Sequence, residues 1–353
     1  MTSSRNLAEN STLNVVAIGG GTGLSTLLRG LKRHVAREGD PEDPGPRIDC
    51  LTAVVTVSDD GGSSGRLRQD FGVTPPGDIR NCMTALSDDE DLLSKLFRFR
   101  FTGGQGLGGH NFGNLFLVAL AEVTGDFTEA VKLSSAILKT RGDIVPATTS
   151  NVQLMAMMDD GSCVRGETNI TASKRRIVKL KMVPANARPL PQTLKAIKEA
   201  DLITIGPGSL FTSLVPNLLV RGIPEAIARS HATKVYICNL MTQANESLDL
   251  TASQHVQALF EHGRGKLFDY AMLNQTPIPS EMREKYAASN AFPIENDLEA
   301  LTAMGVTPIL GDYLDESPIA RHNAKSVTDD LLAVAMLERL KSQGTIAGDA
   351  IRK

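Results

Sequence analysis

Apolar residues along this chain gather in short solid runs, and several of these runs end in glycine followed by a helical rhythm. Leu13 to Ile18 is one such run and predicts a buried strand, after which Leu24, Leu27, Leu28, Leu31 and Val35 recur at helical spacing. The polar stretch REGDPEDPGPR leads to a second run, Ile48 to Val57, so the chain opens with a βαβ unit and a parallel strand pair. Ile79, Met83 and Leu86 predict a helix from Asp78, and Leu92, Leu93, Leu96 and Phe97 continue in a second. The glycine-rich loop Thr102 to Asn114 precedes two more helices, about Leu115 to Val123 and Thr128 to Thr140, the latter with Asp126 as N-cap.

The texture changes between Val145 and Val183. Val152, Leu154, Ala156 and Met158 alternate, Asp160-Gly161 supplies a hairpin turn, and Ile177 to Val183 reads as extended. The α/β rhythm then resumes with a helix after Pro191, a strand from Asp201 to Ile205, a GPGS loop and a helix from about Phe211. Strands Lys234 to Cys238 and Tyr270 to Leu273 follow, ending in Asn239 and Asn274. The expected fold is α/β: a Rossmann-like, doubly wound, mostly parallel sheet with helices on both faces and a small antiparallel insertion over about residues 145–183. The expected organisation is a disordered tail over residues 1–13, one domain over 14–340 and a C-terminal tail over 341–353. Ligands of such sheets bind at the carboxyl ends of the strands.

Composition narrows the function. Lys and Arg number 37 against 40 Asp and Glu, and a net charge of -3 gives no field to gather nucleic acid or anionic lipid. Cys50, Cys82, Cys163 and Cys238 show no CxxC spacing, which fits reduced thiols in the cytosol better than a zinc or redox centre. The N-terminal residues carry no apolar signal core, and no apolar run approaches the ~18 residues of a spanning helix, so a soluble cytoplasmic protein is expected.

Candidate chemistry sits at the glycine loops. Gly19-Gly20-Gly21-Thr22-Gly23 follows the first strand, but Leu24 stands where a dinucleotide fingerprint needs glycine, and Gly23-Leu24-Ser25 lacks the Walker lysine. What remains is a close backbone approach to an anion at a helix start, or a tight turn that binds nothing. In TVSDDGGSSGRLR, Asp59 and Asp60 precede a flexible Gly/Ser stretch; the pair can hold a divalent metal or sugar hydroxyls, with Arg66 and Arg68 meeting phosphate, or can be an acidic turn answering its own arginines. Asp78 can serve as an N-cap, leaving Arg80 and Asn81 as ligand contacts or surface groups. His110 and Asn111 lie among glycines, where the histidine can act as acid, base or phosphate donor, or stand solvated. Gly206-Pro207-Gly208-Ser209, with Thr212 and Ser213, repeats the strand-glycine-helix pattern and suits a second phosphate. Tyr286 and Arg321 lie in polar contexts, where an aromatic face can stack on a base and an arginine can clamp a diphosphate.

The segments AIGGGTGLSTLLRGLK, TAVVTVSDDGGSSGRLR, PPGDIRNCMTALS, GGHNFGNLFLVAL and IGPGSLFTSLVPNLL, in this order, resemble the CofD-like superfamily. The SDDGGSSGR form of the second loop is similar to its YvcK branch, the gluconeogenesis factors. That resemblance, over about residues 14–340, implies binding of UDP-N-acetylglucosamine and a regulatory role linking gluconeogenic growth, cell-wall precursor supply and cell shape in bacteria. It implies that a tyrosine and an arginine in the C-terminal third hold the uridine sugar; Tyr286 and Arg321 match best, with Tyr270 competing for the tyrosine. It also implies unidentified protein partners and a homodimer. The alternative is the CofD branch's magnesium-dependent transfer of a phospholactyl group from a nucleotide-activated donor, in which case Asp59, Asp60 and His110 are the catalytic candidates.

Overall fold

In the computed structural model, residues 12–36, 46–87, 92–173 and 175–344 are described. Strand β1 (Thr12–Gly19) leads into helix α1 (Gly21–Leu31), which buries Leu24, Leu27, Leu28 and Leu31. Val35 lies beyond the helix end and forms a parallel bridge with Ile48 instead of continuing the helical stripe. Strand β2 (Arg47–Val55) pairs in parallel with β1 and starts one residue earlier than its apolar run. Nine of the eleven residues of REGDPEDPGPR, 37–45, lie outside the described residues.

Helices α2 (Gly62–Phe71), α3 (Gly77–Leu86), α4 (Leu92–Arg98), α5 (Phe112–Thr124) and α6 (Phe127–Ile137) follow. The expected N-cap holds: Asp126 accepts N–H bonds from Thr128 (2.6 Å) and Glu129 (3.1 Å). The Gly/Ser stretch after Asp60 is helical and not flexible. Its low intrinsic propensity is overridden because Ser63, Ser64, Gly65 and Leu67 are buried against neighbouring elements.

Strand β3 (Asp143–Pro146) forms one edge of the main sheet, so Val145 and Pro146 belong to that sheet. The insertion proper is a three-stranded antiparallel sheet, β4 (Gln153–Met158), β5 (Cys163–Arg165) and β6 (Ile177–Val183), with the short helix α7 (Glu167–Ala172) between the last two. The main chain returns through α8 (Pro191–Glu199) to β7 (Leu202–Ile205). The helix expected from about Phe211 is present: it opens as a π-helical turn, Leu210–Leu214, and continues directly as α9 (Val215–Leu219), with α10 (Ile223–Arg229) following. The last elements are β8 (Thr233–Ile237), α11 (Ala252–Gly263), β9 (Tyr270–Asn274), α12 (Ser280–Ala287), α13 (Leu298–Ala303), β10 (Thr307–Gly311) and α14 (Ala324–Ser342).

The seven-stranded sheet runs β10-β9-β8-β7-β1-β2-β3, all neighbours parallel. Its central strands are buried on both faces: in β1, Val16 and Ile18 join one apolar cluster, Leu13, Val15 and Ala17 the other. The chain builds outwards from β1 to β3, then crosses back to lay β7 on the opposite side of β1. The crevice outside the carboxyl ends of β1 and β7 is therefore the switch point of the sheet. No described helix is long and apolar enough to cross a membrane.

Candidate ligand-binding site

A cavity of about 410 Å³ opens at that switch point, lined by Gly20 to Gly23 after β1 and by Pro207, Gly208 and Ser209 after β7. The loop after β8 adds Asn239 to Gln243, and the C-terminal third adds Tyr286 from α12 with Ala320, Arg321 and His322. The volume suits a nucleotide-sized ligand.

The first glycine loop works by close approach. A Cβ on Gly20 would stand 2.5 Å from Thr56 Cγ2 and 2.7 Å from an Asp78 carboxylate oxygen; one on Gly23 would stand 2.7 Å from the Pro207 carbonyl carbon. The two glycine loops thus touch backbone to backbone. Leu24 donates the first helical bond to Gly20, so the N–H groups of Gly21, Thr22 and Gly23 have no acceptor within α1. Gly21 N–H meets Asp78, and Thr22 and Gly23 line the cavity.

Asp78 is therefore part of the cavity floor and not an N-cap of its own helix. Desolvation, then the neighbouring Asp59, push its pKa up to about 6, against the Gly21 N–H, Arg80 and Asn81. Glu167, brought in by α7 of the insertion, lines the same cavity and accepts from Ser58 Oγ at 3.4 Å. Burial, then Asp59 and Asp78, push its carboxyl up to about 9, so it carries its proton at neutral pH. Both acids of this cavity are thus pushed towards their neutral forms.

The second glycine loop does not present an empty helix start. Glu246 Oε1 accepts from the N–H groups of Phe211 (2.7 Å) and Thr212 (2.6 Å), and Thr212 Oγ1 donates to Oε2 at 3.4 Å. This internal carboxylate, pushed up to about 7 by burial despite those bonds, takes the N–H groups of Phe211 and Thr212, while Gly208, Ser209 and Thr212 line the cavity. Gly208 and Asn239 exchange two bonds, of 3.2 and 2.7 Å, and Gln243 Nε2 donates to Ser209 Oγ at 2.8 Å. Gly206, at φ +90°, shapes the turn and is not on the cavity wall.

At the far wall, Tyr286 OH accepts from Ala320 N–H at 3.0 Å and so fixes the segment carrying Arg321. His322 donates Nε2–H to the Cys238 carbonyl at 2.9 Å, and burial pushes its pKa down to about 4. Tyr270 stands at the amino end of β9 with its hydroxyl on Glu338, away from the cavity, so of the two candidate tyrosines only Tyr286 faces the glycine loops.

The remaining sequence candidates do not line this cavity. Gly19 ends β1, and its carbonyl accepts from Thr56 N–H (2.9 Å) and Asn217 Nδ2 (3.2 Å). Asp60 caps α7, accepting from Glu167 N–H (2.9 Å), Thr168 N–H (2.8 Å) and Thr168 Oγ1 (2.7 Å). Asp59 accepts from Gly61 N–H at 2.9 Å. Among the described residues no group of three or more His, Cys, Asp or Glu is arranged to hold a metal ion. Arg66 donates to the Gly108 carbonyl (2.9 Å), Arg68 to Asn151 Oδ1 (2.5 Å) and the Val152 carbonyl, and Arg80 to Asn81 Oδ1 (2.6 Å). His110 and Asn111, expected in an open loop, are buried: His110 Nδ1 bonds Ser63 Oγ at 3.1 Å, and Asn111 caps α5 through Asn114 N–H at 3.3 Å. Burial, then Arg66, lower the His110 pKa. The sequence reading missed Glu167, Glu246, Gln243 and His322. All four sit in polar stretches whose pairing is long-range, and none carries a local motif.

A parallel α/β sheet with a glycine-lined pocket at its switch point has the layout in which open α/β proteins receive their ligands. A family model described as 2-phospho-L-lactate transferase CofD matches residues 15–314, and the chain belongs to the CofD family. Within that family it sides with the gluconeogenesis factors. It is 45% identical to the gluconeogenesis factor of Halalkalibacterium halodurans over 321 residues, covering 90% of this chain and 95% of the relative. It is 46% identical to the gluconeogenesis factor of Bacillus subtilis over 319 residues, covering 90% and 96%. A crystal structure of a Bacillus halodurans protein superposes with a TM-score of 0.86 at 44% identity, covering 91% of this chain and 99% of the other.

Proposed function

We propose that the chain binds UDP-N-acetylglucosamine or a close nucleotide sugar in this cavity and acts as a cytoplasmic regulator of carbon flow into cell-wall precursor, with effects on cell shape. The observation carrying this reading is that Tyr286 and Arg321, distant in sequence, line the same cavity as the free helix start at Thr22 and Gly23. In this arrangement the diphosphate lies on the α1 N-terminus, Arg321 clamps it and the Tyr286 ring meets the base. Protonated Glu167 and Asp78 meet sugar hydroxyls. Binding shifts a surface that a partner protein reads, and the working unit is a homodimer.

Thermal unfolding with UDP-N-acetylglucosamine, UDP, GTP and NAD, each with and without magnesium, tests the reading. A ligand at a hundred times its Kd adds about 2.7 kcal/mol to stability. A midpoint shift confined to the uridine compounds, with the sugar recovered intact, supports it; a magnesium-dependent shift with GTP alone defeats it. One observation favours the transferase reading instead: the Asp78/Glu167 pair is poised as base and acid in one cavity. Under that reading Glu167→Gln abolishes turnover of a nucleotide-activated donor; under ours there is no turnover to lose.

A further inference from the structure

The outer face of the insertion sheet is a built surface with a composition unlike the rest of the chain. Strand register sets its rows: Arg165, Met155 and Lys181 lie side by side, and Cys163, Met157 and Lys179 form the next row. These positions point outwards, because the alternate residues Leu154, Ala156, Leu180 and Met182 are buried in the core. The two methionines run down the central strand, Met155 between Arg165 and Lys181 and Met157 between Cys163 and Lys179. No Asp or Glu occupies an outward position of the three strands, and among the described residues Arg165, Lys179 and Lys181 form no ion pair, although the whole chain carries a net charge of -3.

We propose that this face docks a protein segment in which acidic and apolar residues alternate, the carboxylates meeting Arg165, Lys179 and Lys181 and the apolar side chains lying on Met155 and Met157. Charge complementarity selects the acidic partner, and polarizable, flexible methionine suits a surface that adapts to a partner's side chains. A second copy of the chain does not fit, because a two-fold contact through this face would set cation against cation. Nucleic acid leaves the methionine row without an apolar counterpart. The proposal concerns a surface apart from the cavity and does not rest on what fills it.

The test uses the full chain and a fluorescein-labelled peptide alternating glutamate with leucine, followed by anisotropy. The proposal requires saturable binding that weakens with salt. Binding should fall about tenfold or more in the triple variant Arg165→Glu, Lys179→Glu, Lys181→Glu, and should weaken for a glutamate–serine peptide. The triple glutamine variant falls between, and both variants must unfold at the wild-type midpoint. No saturable binding, or an unchanged affinity in the charge-reversed protein, overturns the proposal. Equal competition by duplex DNA or by phosphatidylglycerol vesicles also overturns it, since the face then reads only negative charge.

Discussion

Replacing Gly23 with alanine probes the contact on which the cavity depends. At an open helical position this change would stabilise the protein by about 0.8–1 kcal/mol, because alanine is the better helix former. Gly23 is not open. The new Cβ would stand 2.7 Å from the Pro207 carbonyl carbon and 3.0 Å from Gly208 Cα, with the Pro207 oxygen nearer still, whereas ordinary contact begins at 3.4 Å. Both neighbours are backbone, so no side chain can turn aside; the loops after β1 and β7 must part by at least 0.7 Å. Overpacking of this kind costs about 1–3 kcal/mol. It outweighs the propensity gain in all but the mildest case, leaving a net loss of roughly 0–2 kcal/mol and, at the unfolding entropy of a chain this long, a midpoint lowered by up to about 3 °C. The same displacement moves the α1 N–H groups away from the opposite wall, so affinity for UDP-N-acetylglucosamine should fall about tenfold or more. Scanning calorimetry and titration calorimetry read the two effects. Gly103→Ala, at a position with nothing within 4 Å, is the control and should change neither. A Gly23→Ala protein with wild-type midpoint and affinity would refute the backbone contact.

Further outcomes follow from the carboxylates. Asp78 titrates near 6 in the folded state against an ordinary 3.8, so folding takes up a proton between those values. Stability should fall by at most about 3 kcal/mol as pH rises from about 4 to about 6 and stay flat above; in Asp78→Asn that decline should shrink, as unfolding midpoints against pH will show. Glu246→Ala strands the buried N–H groups of Phe211 and Thr212 and should cost about 2–4 kcal/mol, whereas Glu246→Gln keeps an acceptor and should lose less than half as much by urea denaturation. Asp60→Ala removes the cap of α7 and should cost about 1–2 kcal/mol, with faster amide exchange at Glu167 and Thr168.

The parts legible in the sequence were those set by local pattern. Solid apolar runs announced β1, β2, β7, β8 and β9, alternation announced β4, and Asp126 announced its own cap. What was hidden was set by tertiary contact. The GGSSG stretch reads as flexible by propensity, yet burial of Ser63, Ser64 and Leu67 makes it α2. Locally the N–H groups just after the GPGS loop look free for a ligand; Glu246, 34 or more positions away along the chain, takes those of Phe211 and Thr212. His110 and Asn111 looked solvated because their neighbours are glycines, and they are buried because Ser63 of α2 meets them. Tyr286 and Arg321 were paired at the ligand by the family resemblance and not by local pattern, since nothing local says that α12 and the segment before α14 return to the switch point.

The central claim is that one cavity grips a nucleotide sugar between the α1 N-terminus and Arg321. Titration calorimetry of UDP-N-acetylglucosamine into the wild-type protein and Arg321→Ala tests it most directly. The account predicts saturable one-site binding without added magnesium, weakened about 10- to 100-fold by loss of the guanidinium at an unchanged unfolding midpoint. Equal heats from both proteins, or no saturable heat from the wild type, would contradict it.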